Sequence, residues 1–250
     1  MVNAIGLGAI AGLIPVYVGI LAALFLGKVL PRTWESGLIG VATGVLVYLF
    51  FDLMHEATEQ TGARDPLSWL VFLGSLGISF VGLVALESRQ VFGGRAGNRV
   101  LSLPYMIAVG MGLHNLGEGL AIGTSYASGE YTLSLLLVAG FGLHNGTEGF
   151  GIVGAAGKTP ISGRDVILLG LIAGLPTCVG TFLSGQGVSS YFSICFYALA
   201  AGSLLYVILA LTVMSYTATR RVQVATGLFA GISLMYLTAM VLTLVTGVRS

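Results

Sequence analysis

The sequence predicts an all-α integral membrane protein of eight transmembrane helices, and three observations carry that prediction. Hydrophobic residues make up 56% of the 250 and charged residues only 8%, against about 25% charged in a soluble domain. So few charges cannot cover a water-soluble globule of this size. The apolar residues fall in runs of about 20 or more, the length that crosses ~30 Å of hydrocarbon. None of these runs shows the ~10-residue alternating segments of an outer-membrane barrel. The composition excludes a soluble enzyme, a disordered chain and a nucleic-acid binder, and the net charge of +1 favours no charged macromolecular partner.

The eight spans fall at approximately 4–30, 36–58, 66–86, 101–127, 131–157, 164–184, 188–216 and 222–246, within one membrane domain covering 1–250. Each is closed by a charged or turn-forming segment: Lys28 to Glu35, Glu59 to Asp65, Glu87 to Arg99, Ser128 to Glu130, Lys158 to Gly163, Gly185-Gln186-Gly187, and Thr217 to Arg221. The first run lacks a basic leader and exceeds a signal-peptide core, so it is expected to be a mature helix. Nine basic residues (Lys28, Arg32, Arg89, Arg95, Arg99, Lys158, Arg164, Arg220 and Arg221) follow odd-numbered spans, while Arg64 and Arg249 lie on the opposite side. The positive-inside rule makes the nine cytoplasmic and places both termini outside the cell membrane. The 38 glycines, roughly twice average usage, point to closely packed helices. Gly8/Gly12, Gly40/Gly44, Gly170/Gly174 and Gly227/Gly231 form small-xxx-small seams that permit a homodimer. Cys178 and Cys195 both lie in apolar stretches and support neither a disulfide framework nor a thiolate cluster.

Ionisable residues at the centre of a span cost at least ~2.5 kcal/mol and are functional candidates by default. The fourth span holds His114-Asn115-Leu116-Gly117-Glu118-Gly119 and the fifth His144-Asn145-Gly146-Thr147-Glu148-Gly149, every equivalent pair 30 residues apart. Within each motif His, Asn and Glu share one helix face, being three or four residues apart. The short turn between the spans makes them antiparallel, so this direct repeat implies a two-fold axis in the membrane plane. Such inverted symmetry with a midplane site is a transporter arrangement.

Two carboxylates with no nearby Lys or Arg would be neutralised by one divalent cation. Imidazole with carboxylate suits zinc, iron, manganese, cobalt or nickel, and the absence of thiolate argues against copper(I). A single intramembrane His or Asn is often interhelical glue. Two matched copies, each with a central glutamate, make that structural explanation the weaker one. Paired histidines could instead clamp a haem in an intramembrane redox protein, although a glutamate one turn from each His disfavours it. No His-Glu-x-x-His is present to suggest a metalloprotease. On the second span Asp52, His55, Glu56 and Glu59 occupy one face of the outer end, where acids concentrate cations. A solvated helix end accounts equally well for the last two, whereas Asp52 lies inside the apolar run.

At these residues the sequence resembles the ZIP family of divalent-metal transporters, particularly its prokaryotic members, which carry His-Asn-x-Pro-Glu-Gly in helices 4 and 5. Ala173-Gly174-Leu175-Pro176-Thr177-Cys178-Val179-Gly180 and Ala201-Gly202-Ser203-Leu204-Leu205-Tyr206-Val207 also look like family segments. The resemblance implies eight spans, both termini outside, and cargo such as zinc or iron, with manganese, cobalt, nickel or cadmium as further candidates. It implies a metal site of His114, Glu118, His144 and Glu148 with Asn115 and Asn145 as weaker ligands, an entrance acid at Asp52, and rigid-body alternating access. The motif prolines are replaced by Gly117 and Thr147, and Thr177 and Ala210 stand where many members have acids. One principal metal position is therefore expected, and a metal-binding relative that does not transport is a further alternative. The connection from Glu87 to Arg99 contains no His, so no metal-sensing loop is evident.

Overall fold

The computed structural model describes residues 2–62, 65–89, 101–157, 159–184, 189–217 and 219–246, and all regular structure among them is helical. Arg64, Arg95, Arg99, Lys158 and Arg249 lie outside the described residues, as do residues 90–100 of the third connection and the Gly185-Gln186-Gly187 turn. Helix α1 comprises Val2–Gly8, a π-helical turn at Ala9–Leu13, and Ile14–Val29. The others are α2 (Arg32–Glu59), α3 (Pro66–Ser88), α4 (Ser102–Ala127), α5 (Tyr131–Ala155), α6 (Gly163–Leu183), α7 (Ser190–Ser215) and α8 (Arg221–Thr246).

Local chemistry sets many of the ends. The Asp65 carboxylate accepts the Leu67 N–H at 3.1 Å, with Pro66 in the first turn where its missing N–H costs nothing. Ser162 and Asp165 form a reciprocal capping box on α6. Gly129 (φ 80°) and Gly157 (φ 57°) supply the left-handed residues that follow α4 and α5. Helix α2 begins at Arg32, ahead of the apolar run, because Thr33 to Glu35 can be helical without being apolar.

Among the described residues six helices are long and apolar enough to cross a membrane: α1, α2, α3, α6, α7 and α8. This is a multi-pass membrane protein. The two that fall short, α4 and α5, carry the polar motifs; α4 is buried along most of its length, and α5 buries the face that carries its motif while Leu135 and Leu143 on its other side are exposed. Helix α4 packs on α5, α6 and α7, and α5 packs on α1, α2 and α4, while α2 pairs with α8 and α3 with α7. A helix wrapped by other helices meets protein rather than lipid, so polar side chains on it escape much of the cost of contact with hydrocarbon. The main core joins Met106, Ile107 and Met111 of α4 to Val45 and Leu46 of α2 and to Leu204, Val207 and Leu211 of α7. Clefts lined by Lys28, Glu35, Thr159 and Arg220 bring the connections after α1, α5 and α7 to one end of the bundle. At the other end the Tyr191 hydroxyl donates to Asp65 at 2.8 Å, tying the starts of α7 and α3.

The four glycine seams are all used inside the chain. Gly40 and Gly44 lie against α8, Gly227 and Gly231 against α2, Gly8 and Gly12 against α6, and Gly170 and Gly174 against α1. They lend no support to a homodimer, because their backbones are already covered. A close backbone approach lies within the second motif, where a β-carbon on Gly149 would strike the Gly19–Ile20 peptide of α1. Gly149→Ala is expected to destabilise the protein by about 1–3 kcal/mol through overpacking. Gly77→Ala, with nothing within 4 Å, should be neutral. Thermal unfolding in detergent distinguishes the two.

Candidate metal centre

Helical spacing places His114, Asn115 and Glu118 on the face of α4 that meets His144, Asn145 and Glu148 of α5. None of the six is more than 3% exposed. The Nε2 atoms of both imidazoles address one oxygen, Glu118 Oε1: His114 at 3.1 Å, and His144 in closer contact. Ligand atoms of His114, Glu118 and His144 all lie within 4.8 Å of one another. The two imidazole centroids are 6.1 Å apart, and the Phe141 ring stands edge-on to His144 at 5.6 Å.

The asparagines cross between the motifs. Asn145 Nδ2 donates to Glu118 Oε2 at 2.8 Å and to the Ala11 carbonyl of α1 at 2.9 Å. Asn115 Nδ2 donates to Glu148 Oε2 and to the Ala173 carbonyl of α6, both at 3.0 Å. Each carboxylate is thus held by the amide of the opposite helix, and each amide is anchored by a flanking backbone carbonyl.

Those two carbonyls occupy matching places in the sequence. Ile10-Ala11-Gly12-Leu13-Ile14-Pro15 in α1 parallels Ile172-Ala173-Gly174-Leu175-Pro176 in α6, with one residue, Ile14, added before the proline. The π-helical turn at Ala9–Leu13 absorbs the extra residue, as π-bulges do. Pro15 has no N–H to offer Ala11, its partner in regular α-helical bonding, and that carbonyl takes Asn145 instead. The sequence reading missed Ala11 and Ala173 because backbone acceptors have no side-chain signature. The doubled Ile-Ala-Gly-Leu before proline was the available signal.

The donor set is incompletely used. Asn115 Oδ1, Asn145 Oδ1, Glu148 Oε1 and the Nδ1 atoms of His114 and His144 are buried with no hydrogen-bond partner among the described residues. Leaving such a group unpaired costs about 1–3 kcal/mol. Carboxamide oxygens accept and a carboxylate accepts when ionised, so each of these three oxygens is chemically suited to a cation. Zinc binds His nitrogen and carboxylate oxygen at about 2.0–2.2 Å, and His114, Glu118 and His144 offer that donor set within 4.8 Å of one another.

Of the residues singled out in the sequence, His114, Glu118 and His144 form the mutual cluster. Glu148 stands beside it, tethered by Asn115, and the asparagines act through Nδ2 with both Oδ1 atoms unengaged. Asp52, His55 and Glu56 are accessible on α2, and His55 pairs with Glu59 at 3.3 Å. Asp52 is near enough to His144 and His114 to interact with both electrostatically, and Tyr197 of α7 faces Asp52 and Glu56 in the same way. Thr177 is fully buried, its side chain filling the seam against Gly12, and Ala210 packs on the core. Asn145→Ala removes the amide that fixes Glu118 Oε2. It is expected to weaken zinc binding about tenfold, as loss of a ligand-orienting hydrogen bond does, measured by chelator competition on purified protein.

The chain is 33% identical to the human protein "Zinc transporter ZIP4" over 131 residues, which amounts to 51% of this chain and 20% of that protein's length. No protein-family model matches the chain.

Proposed function

We propose that this protein moves a divalent transition metal, zinc first and iron next, across the cell membrane into the cytoplasm, by alternating access at the centre between α4 and α5. One observation carries the reading. A buried His114–Glu118–His144 cluster adjoins three oxygens, on Asn115, Asn145 and Glu148, that have no donor. Two imidazoles with carboxylate suit zinc, and the similarity to a zinc transporter supports the same cargo. Manganese, cobalt, nickel and cadmium are further cargoes for such donors.

In this reading the chain is of the prokaryotic ZIP type and a transporter rather than an enzyme. It spans the bilayer eight times, with α4 and α5 crossing inside the bundle and both termini outside. The packing supports an inverted repeat that exchanges α1 with α6, α2 with α7, α3 with α8 and α4 with α5. Its pairs α1–α5 and α6–α4 correspond, as do α2–α8 and α7–α3, and so do the crossed asparagine bonds to Ala11 and Ala173. The ion approaches past Asp52, His55 and Glu56, loses water to His114, Glu118, His144 and Glu148, and leaves at the opposite end. The haem alternative is not favoured, because Glu118 stands between the two imidazoles where a macrocycle would have to pass.

Glu118→Gln and His144→Ala are each expected to abolish saturable zinc uptake into proteoliposomes, and normal uptake by both would overturn the site. Metal must displace protons from its ligands, so wild-type affinity should fall as pH drops from 7 toward 5.5. The orientation is checked in a background lacking Cys178 and Cys195. A cysteine at Thr159 should resist an impermeant thiol reagent in intact cells while one at Thr61 reacts, and the reverse pattern would invert the topology.

A further inference from the structure

Two clefts, of about 520 and 490 Å³, enter the bundle at the end opposite Asp52, and both are lined by Glu35, Ile39, Gly154 and Thr159. Gly154 lies six residues beyond Glu148 on α5, about 9 Å along the helix, so the clefts reach to within two turns of the buried centre. The counterpart of Gly154 in the 30-residue repeat is Thr124 on α4. The void there, walled by Leu120, Thr124, Phe196 and Tyr197, measures only about 30 Å³. The bundle therefore carries wide clefts toward Glu35 and only a small void between α4 and α7.

Glu35 is the one acid lining either cleft among the described residues, where Lys28 borders the larger and Arg220 the smaller. It is only partly buried and forms no ion pair with either base among the described residues. An acid in the first turn of a helix is stabilised by the helix dipole. That accounts for a carboxylate at the start of α2, but not for its position where the two clefts meet, with Lys28 bordering one and Arg220 the other. A divalent ion entering clefts bordered by Lys28 and Arg220 would be repelled without a compensating carboxylate.

We propose that Glu35 is the acid that takes over a divalent cation as it leaves the buried centre, making it the release-side counterpart of the entrance acids on the same helix. This rests on the transport reading above. The test measures zinc uptake into proteoliposomes and equilibrium zinc binding on the same preparations of wild type, Glu35→Gln and Glu35→Asp. Glu35→Gln should lower the maximal uptake rate about tenfold with zinc affinity unchanged within twofold, while Glu35→Asp keeps most of the rate. Uptake by Glu35→Gln at the wild-type rate overturns the assignment of Glu35 and leaves the transport reading intact. A parallel loss of rate and affinity also overturns it, since Glu35 would then act on the centre itself. Absence of zinc binding and uptake in wild type removes the transport reading and the release role with it.

Discussion

A carboxylate sealed in the middle of a membrane protein is the constraint on which the rest depends. Glu118 is buried with both oxygens engaged, one by two imidazoles and the other by the Asn145 amide. Removing a charge from water costs several kcal/mol even after relaxation, and only convergent partners make it tolerable. Helix α4 supplies His114, one turn away, whereas His144 and Asn145 must come from α5. The pairing of α4 with α5 is consequently inseparable from the charge it encloses. The same need explains why the motif-bearing faces of these two helices are both turned into the bundle.

Backbone irregularity serves that arrangement. A regular helix has no spare carbonyls in its interior, yet each amide at the centre needs an anchor. In α1 the proline at position 15 and the π-helical turn before it leave the Ala11 carbonyl for Asn145. In α6 the Ala173 carbonyl takes Asn115 three residues before Pro176. Close helix approach brings these carbonyls within reach. Gly149 and Gly19 bring α5 onto α1, and Gly119 and Gly180 bring α4 onto α6 with no β-carbon between. Glycine and proline here are as much part of the centre as the side chains that line it.

The centre is nearly symmetric in its hydrogen bonds but not in its charges. Glu118 is shared by both histidines, while Glu148 holds one asparagine and keeps an oxygen unspent. The surroundings are asymmetric too, with wide clefts at the Glu35 end and a small void between α4 and α7. A pathway opened alternately at its two ends calls for two related halves held in different conformations. In the transport reading proposed above, such a difference between equivalent positions is what one of the two alternating states would display.

Much of this protein was determined by the sequence alone, because the relevant signals are local. Hydropathy marks where a helix meets lipid, and the structure's helices lie on the apolar runs, with shifts at the ends where polar residues such as Thr33 and Glu35 continue a helix. The repeated hexapeptides, with four-residue spacing from His to Glu, were enough to place the six polar residues of the centre on two helix faces. Tertiary structure alone decided how those faces combine: that both imidazoles turn to Glu118 rather than one to each glutamate, that each amide crosses to the opposite carboxylate, and that Ala11 and Ala173 anchor them. It also decided that the glycine seams close within the chain and that Glu35 lies where two clefts meet. The bonds that cross between helices at the centre join residues 26 to 134 positions apart, and the glycine seams join residues farther apart still. Helical periodicity carries no information about such contacts, because it fixes the face a residue occupies and leaves open what that face will meet.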